Sequence, residues 1–316
     1  MIPTVFIISI LTFFVIELPP GDYVSRYVGI LEQQGRDIDQ ETVENLRRMY
    51  GLDKPTFVRY FIWIGKFMTG DMGFSLEFRK SVAEILGMRF AMTVTVTLAS
   101  MLFTWLVAFP IGVYSAVRQY SVGDYFWTVI GFLGLAIPNF LFALVLMFFS
   151  ARYLNISVGG LFSREFQEAP WSILKMVDLL KHIWIPMIVV GSAGTAGLIR
   201  ILRANLLDEL KKTYVELARA KGLKEARLLI KYPLRIAINP FIASVGWILP
   251  SLVSGTVITA IVLDLPTAGP IYLRAIRAED MPLAGAFIML IAILTVIGTL
   301  ISDILLAIVD PRIRYD

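Results

Sequence analysis

The sequence contains no cysteine and only one histidine among its 316 residues. Without cysteine there can be no disulfide framework and no thiolate metal site, and a single histidine excludes the zinc-protease pattern His-Glu-x-x-His. The phosphate-binding pattern Gly-x-x-x-x-Gly-Lys-Ser/Thr and the nucleophile pattern Gly-x-Ser-x-Gly are missing as well. The chain therefore shows none of the common sequence signatures of a nucleotide-hydrolysing, thiol-dependent or zinc-dependent enzyme.

Charged residues are also scarce. They make up 17% of the chain, against about 25% in an average soluble protein, and the mean hydropathy is +0.72. The apolar residues are concentrated in six runs that are nearly free of charge: 1–18, 91–117, 125–151, 183–199, 236–263 and 281–309. A hydrocarbon core about 30 Å thick needs about 20 helical residues to cross it. We therefore predict an all-α membrane protein with six transmembrane helices.

Lysine and arginine are concentrated on one side of the predicted helices. The segment 200–235 holds ten basic and four acidic residues, and Arg312 and Arg314 lie at the end of the chain on the same side. On the other side, 154–182 and 265–280 contain equal numbers of basic and acidic residues. By the positive-inside rule, the basic side faces the cytoplasm, and so do both termini.

The apolar runs also predict how the chain is organised. Residues 1–20 form the first transmembrane helix, 21–90 an extracytoplasmic cap with short helices, 91–310 a five-helix core, and 311–316 a cytoplasmic tail. Within the cap, the acidic start near Asp39 predicts a short amphipathic helix that stops near Gly51, and 58–68 is predicted to form a second.

A charged segment, 204–235, interrupts the apolar runs on the cytoplasmic side. It begins with an apolar stripe of one predicted amphipathic helix, at Leu207, Leu210, Tyr214 and Leu217. Gly222 ends this helix, and a second stripe, which runs to Pro233, consists of Leu223, Ala226 and Ile230. Two helices hinged at a glycine are expected here. Taken alone, this pattern is also typical of a basic anchor that lies along lipid headgroups.

The same segment carries a family resemblance. Glu216-Leu217-Ala218 followed by Gly222 resembles the cytoplasmic EAA loop of ABC importer permeases, Glu-Ala-Ala-x-x-x-Gly, and 218–223 is similar to the form in peptide-type permeases. Further motifs of the family occur in the same order along the chain, at Pro20-Gly21-Asp22, 50–55, 70–75 and 310–315. The resemblance covers essentially the whole chain.

The resemblance implies a type I ABC importer permease fold with an extracytoplasmic cap after the first helix. It also implies that the charged loop docks on a separate ATPase and transmits the closure of that ATPase to the membrane helices. The expected packing contacts are Ala218, Gly222 and Leu223, surrounded by a polar rim of Glu216, Arg219 and Lys221. The helix 239–263 is the first candidate for the translocation path, with Asn239, Gly246, Pro250, Ser251 and Ser254.

The implied assembly comprises a second homologous permease subunit in a heterodimer, two ATP-binding subunits and an extracytoplasmic substrate-binding protein. The chain would contact membrane lipid and no nucleic acid, in the inner membrane of a bacterium or an archaeon. ATP and Mg would be bound by the partner ATPases, so we expect no cofactor and no catalytic or metal site in this chain.

The sequence departs from the family pattern at three places. Leu217 stands where the pattern has alanine, and Pro233 stands where the peptide branch usually has histidine. The segment 261–270, which would face the outer mouth, replaces the commoner Glu-x-x-Phe-x-x-Pro-Gly-x-Gly, and this departure bears on the cargo. The resemblance implies peptides or a related small solute, with oligosaccharides, opines, glutathione or nickel as alternatives. A polytopic intramembrane enzyme would need clustered catalytic groups in the spans. A secondary transporter would need several buried carboxylates there, and the sequence shows neither.

Overall fold

A computed structural model describes residues 2–18, 23–33, 35, 39–49, 51–75, 77–154, 159–246 and 256–309. Within these ranges the chain is almost entirely helical, and the only strands are an antiparallel pair of two residues each, β1 (Phe74–Ser75) and β2 (Lys80–Ser81). The all-α prediction is therefore confirmed.

The helices follow the apolar and amphipathic segments of the sequence. In chain order they are α1 (Ile2–Glu17), α2 (Tyr23–Gln33), α3 (Gln40–Met49), α4 (Thr56–Met68), α5 (Val82–Val117), α6 (Val122–Ala136), α7 (Asn139–Phe149), α8 (Ile173–Leu210), α9 (Thr213–Ala220), α10 (Glu225–Lys231), α11 (Pro233–Ala237), α12 (Val257–Val262), α13 (Ala268–Arg277) and α14 (Met281–Val309). Residues 240–246 are also helical.

Four described helices are long and apolar enough to cross a membrane: Val82–Val117, Ile173–Leu210, Glu225–Gly246 and Met281–Val309. The first residues of Glu225–Gly246 belong to the charged segment 204–235 and precede its apolar part. The bent pair Val122–Ala136 and Asn139–Tyr153 meets the same test when its two halves are taken together as one span, and a shorter apolar helix covers Pro3–Glu17. Each of the six predicted runs thus contains helix in its described part.

The bent pair departs from a straight helix, since its second half turns by 103° from the direction of the first. The bend lies at Ile137, whose backbone is extended (φ −84°, ψ 122°) because the following Pro138 disfavours helical geometry in the residue before it. Pro138 then begins the second half. The residues on both sides of the bend are apolar, so hydropathy alone does not show that the helix is interrupted there.

The described chain forms two compact units. One consists of Met1–Ala91 with Ala268–Ile293. In this unit α1 and α4 are joined by a hydrogen bond of 2.7 Å between the hydroxyls of Ser9 and Tyr60, and by an ion pair of 2.6 Å between Arg59 and Glu17. The short helices α3 and α4 lie where the sequence predicts them. The Asp39 carboxylate accepts a hydrogen bond from the backbone N–H of Thr42 at the start of α3.

The second unit consists of Met92–Thr267 with Leu294–Asp316. Its core includes α8, which packs through Leu198, Leu202 and Leu206 against Ala108 of α5 and Phe241. The three leucines are spaced four residues apart and so lie on one face of α8. This packing fixes the last turns of α8 and thereby the point from which the charged segment leaves the bundle.

Candidate functional site

The charged segment starts with a sharp turn at the end of α8. The backbone of Lys212 is extended (φ −79°, ψ 146°), which separates α8 from α9. Glu209 holds this turn, since its carboxylate accepts a hydrogen bond of 2.5 Å from the Tyr214 hydroxyl and pairs with Lys212 Nζ at 2.9 Å. The prediction of one helix carrying the stripe from Leu207 to Leu217 is therefore wrong: the stripe is divided between two helices.

Gly222 ends α9 with a defined hydrogen-bonding pattern. Its φ is +78°, in the left-handed region that favours glycine. The N–H of Leu223 bonds to the carbonyl of Ala218, and the N–H of Gly222 bonds to the carbonyl of Arg219. These two bonds form a Schellman motif, which commonly includes an apolar contact between the residues at the positions of Leu223 and Ala218. The predicted helix end at Gly222 is confirmed.

The segment has a small apolar core of its own. Val215, Ala218 and Leu228 are buried in it, with relative exposures of 0%, 6% and 0%. Three partly buried side chains complete the cluster: Tyr214, Leu223 and Tyr232. We call the structure formed by residues 211–232 the loop unit. Ala218 is buried in this core and Leu223 packs against it, so both help to hold α9 and α10 together.

An ion pair connects the two helices of the loop unit. Arg219 Nε and Nη2 donate hydrogen bonds of 2.5 and 3.2 Å to the two carboxylate oxygens of Glu225. The bond from Arg219 lowers the pKa of Glu225, and the bond to Glu225 raises the pKa of Arg219. Both side chains are exposed to solvent.

The outer surface of the loop unit carries the other predicted residues. Glu216, Lys221 and Gly222 are all exposed. Two large apolar side chains lie there as well, Leu217 with 57% and Ile230 with 68% of the surface exposed. The predicted apolar stripes included both, and in the structure both lie outside the apolar core of the loop unit. Val215 and Leu228 occupy the inner face instead. Leu217 lies two residues after Val215, and Ile230 lies two residues after Leu228. Side chains two residues apart on a helix do not share a face, so burial of the first of each pair leaves the second outside.

The candidate translocation path is only partly described. Asn239 is half-buried, and Gly246 lies against the last helix, where an added Cβ would be 3.3 Å from Thr299 Cα. Gly246 therefore serves a close helix crossing. The other three predicted path residues, Pro250, Ser251 and Ser254, lie outside the described residues, as do the motifs Pro20-Gly21-Asp22 and 310–315.

Comparison with known proteins agrees with this arrangement. Residues 108–315 match the family model described as "Binding-protein-dependent transport system inner membrane component", and residues 1–105 match the N-terminal model of the same kind of component. The Bacillus subtilis oligopeptide transport system permease protein AppB is 36% identical over 99% of this chain and 96% of that protein. The Pseudomonas aeruginosa di/tripeptide transport system permease protein DppB is 31% identical over 100% of this chain and 96% of that protein.

Among solved structures, the inward-facing MetNI methionine ABC transporter matches with a TM-score of 0.53 and 16% identity. The match covers 72% of this chain and 96% of that chain, and at this identity it shows the fold alone. The predicted type I permease fold is confirmed. The whole-chain matches place the protein more specifically: it belongs to the family of binding-protein-dependent transport system inner-membrane components, the permeases of ABC importers.

Proposed function

We propose that this permease imports peptides in an assembly with a second homologous permease, two ATP-binding subunits and an extracytoplasmic binding protein. ATP and Mg are bound by the ATPase partners, and both termini of this chain face the cytoplasm. The proposal of a peptide cargo is supported by the relatives, which are named for oligopeptide and di/tripeptide transport. The orientation is supported by the ten basic residues of 200–235.

The loop unit is the site at which the ATPase acts on this chain. The observation that carries this proposal is the combination of a self-contained core with Leu217 and Ile230 exposed outside it. A partner that buries exposed apolar side chains gains about 25 cal/mol per Å² of apolar area. The core makes α9 and α10 one rigid body, so that a push on Leu217 is transmitted to α8 and α11.

Alternating access then follows from rigid-body motion. Closure of the ATPase pair on ATP moves the loop units, and the helices before and after each loop unit rock between inward-open and outward-open states. The loop unit must interact differently with the open and closed ATPases, because a partner that binds both states equally shifts no equilibrium. The exposed Leu217 and the rim residues Glu216 and Lys221 are the contacts that can differ between the two states.

The experiment is a comparison of two substitutions at one position. Leu217→Asp places a charge in the proposed apolar contact and should sharply reduce both co-purification of the ATPase and peptide uptake. Leu217→Ala is the matched control: it introduces the residue that the family pattern has at this position, and it should retain both. Each variant is expressed with all partner subunits, and membrane insertion is checked with a C-terminal tag.

The result that contradicts the proposal is normal ATPase co-purification with Leu217→Asp. If the variant instead loses attachment of the loop unit to lipid vesicles while it retains the ATPase, the loop unit is a membrane-surface anchor. The cargo is tested separately, by thermal-shift screens of the binding protein with peptides, glutathione, oligosaccharides and nickel. Stabilisation by one of the last three and not by peptides would overturn the peptide assignment alone.

A further inference from the structure

A cavity of about 270 Å³ lies between the first turns of α6 and the second half of α8. Its walls combine two arginines with aromatic side chains: Arg200, Arg203, Tyr120, Tyr125, Trp127 and Phe132. All of these residues belong to the same compact unit. The loop unit and the residues predicted for the translocation path do not line this cavity, so its chemistry needs an explanation of its own.

The charge of the cavity is not balanced. Asp124 accepts two hydrogen bonds from Arg203, of 3.1 Å from Nε and 2.9 Å from Nη2, and a third of 3.0 Å from the backbone N–H of Tyr120. These bonds compensate the carboxylate and account for the charge of Arg203. Arg200 has no carboxylate partner among the described residues and is exposed, with its guanidinium 4.9 Å from the centre of the Phe132 ring.

The surroundings of the cavity are those of a membrane interface. Tyr125, Phe126 and Val129 on α6 are 60%, 54% and 56% exposed, so an apolar face of this helix is available to acyl chains. Tyrosine and tryptophan are enriched where the headgroups lie. The cavity thus has an arginine for an anionic group and opens beside an apolar helix face along which acyl chains can lie.

We propose that this cavity binds the headgroup of an anionic phospholipid, with the phosphate on Arg200 and the acyl chains along α6. Basic pockets between transmembrane helices are a known means of binding such headgroups. Cation–π contact with Phe132 holds the guanidinium in place before the lipid arrives. The assignment to the cytoplasmic leaflet rests on the orientation proposed above, while the binding itself does not.

The test is native mass spectrometry of the full chain purified with the subunits that co-purify with it. After delipidation, the complex is titrated with a phosphatidylglycerol and with a phosphatidylethanolamine of identical acyl chains. We expect phosphatidylglycerol to be retained preferentially, and we expect Arg200→Gln to weaken its binding about fivefold, the effect of one basic residue near an anionic headgroup. Thr128→Phe, which fills part of the cavity, should reduce the binding of both lipids.

Arg118→Gln is the matched control. It removes the same charge on the same side of the membrane, and Arg118 is exposed and does not line the cavity. Equal loss of binding in Arg118→Gln and Arg200→Gln would overturn the proposal, because it would mean that the lipid responds only to the overall charge of the surface. Displacement of the lipid by glycerol 3-phosphate at equal concentration would identify a soluble phosphate as the ligand, and this result would also overturn the proposal.

A third outcome is that the isolated chain retains phosphatidylglycerol and the assembly does not. The partner permease would then cover the cavity, and the lipid assignment would be wrong for the working transporter. The assay measures neither ATP hydrolysis nor uptake. A failure to bind lipid would therefore contradict the lipid proposal and not the proposed transport function. A reversed orientation would move the site to the other leaflet without changing the ratio between the variants.

Discussion

Arg219 and Glu225 form an ion pair with two hydrogen bonds, of 2.5 and 3.2 Å, across the left-handed turn at Gly222. The pair joins the end of α9 to the start of α10, on the outside of the loop unit whose apolar core lies beneath. An exposed ion pair contributes little to stability as a rule, because water competes for both groups. Its value here is positional: it limits how far α9 and α10 can turn relative to each other.

The pair predicts a pH dependence in the loop unit. The pKa of Glu225 is lowered by the hydrogen bond from Arg219. Its contribution to stability is therefore present above the unfolded value of about 4.3 and is lost as the pH falls through the lowered pKa of the folded state. We expect the amides of 213–231 to lose hydrogen-exchange protection in this acidic window, after correction for intrinsic exchange rates.

Two variants check this prediction. Glu225→Gln should remove the acid-dependent loss of protection, because no carboxylate is left to titrate at this position. Glu216→Gln should retain it, since Glu216 has no hydrogen bond to Arg219 among the described contacts. An unchanged pH profile in Glu225→Gln would show that another group controls the loop unit.

Substitutions at Gly222 should impair coupling to the ATPase without preventing the protein from folding. An added Cβ would meet no atom of the described residues within 4 Å, so among them the cost comes from the φ of +78°. For alanine this cost is about 1 kcal/mol, and asparagine and aspartate tolerate the left-handed region better than other side chains. Gly222→Asp should therefore insert normally and yet abolish transport, because its charge projects from the surface proposed to meet the ATPase.

Uptake by cells that carry each variant, normalised to the inserted protein, is the measurement for Gly222. Gly222→Asn has the same shape as Gly222→Asp without the charge and should retain more activity. Normal uptake by Gly222→Asp would contradict the assignment of Gly222 to the coupling surface.

The sequence correctly predicts where the first helix of the loop unit ends, but it does not predict which face of each helix is buried. Gly222 could be identified because a helix end at a glycine is a local property of the backbone. The inner face could not be assigned, because the break at Lys212 sets α9 off from α8 and shifts which residues turn inward. Val215 and Leu228 are buried as a result, and Leu217 is left outside. The remaining path residues, Pro250, Ser251 and Ser254, keep their status as predictions.

Contacts between segments that are far apart in the sequence could not be predicted from the sequence. The Asp280 carboxylate accepts hydrogen bonds of 2.5 Å from the Ser75 hydroxyl and 3.2 Å from the backbone N–H of Glu77. It also caps α14 through the N–H of Leu283 at 3.4 Å. More than 200 residues separate the hydroxyl from the carboxylate along the chain, and neither end of this contact follows a recognisable local pattern.

Asp280 predicts a larger loss of stability for one substitution than for another. Asp280→Ala leaves the Ser75 hydroxyl and two backbone N–H groups without their acceptor and removes the helix cap, which should lower the free energy of unfolding by about 1–3 kcal/mol. Asp280→Asn keeps an oxygen acceptor and a residue that caps helices well, so it should cost less at every pH. Thermal unfolding in detergent measures both changes.

The same carboxyl group has a pH signature of the opposite sign to that of Glu225. Burial raises the pKa of Asp280. Its favourable contribution is therefore complete below the unfolded value of about 3.9 and is lost as the pH rises through the raised pKa of the folded state. The melting temperature of wild type relative to Asp280→Asn should fall as the pH rises through that window. A constant difference between the two would mean that the carboxyl group is not perturbed in the folded protein.

Two glycines of α8 provide the last prediction, because they differ only in what surrounds them. An added Cβ at Gly191 would lie 2.6 Å from Phe103 Cδ1 and 2.9 Å from the backbone oxygen of Ser100, whereas at Gly197 it would meet no atom within 4 Å in the part of the chain that the structure describes. Gly191 thus allows α8 and α5 to approach closely. Gly191→Ala should destabilise the protein by about 1–3 kcal/mol, as overpacking does, and Gly197→Ala should not. Equal melting temperatures of the two variants in detergent would contradict this role, since both substitutions change helix propensity by the same amount.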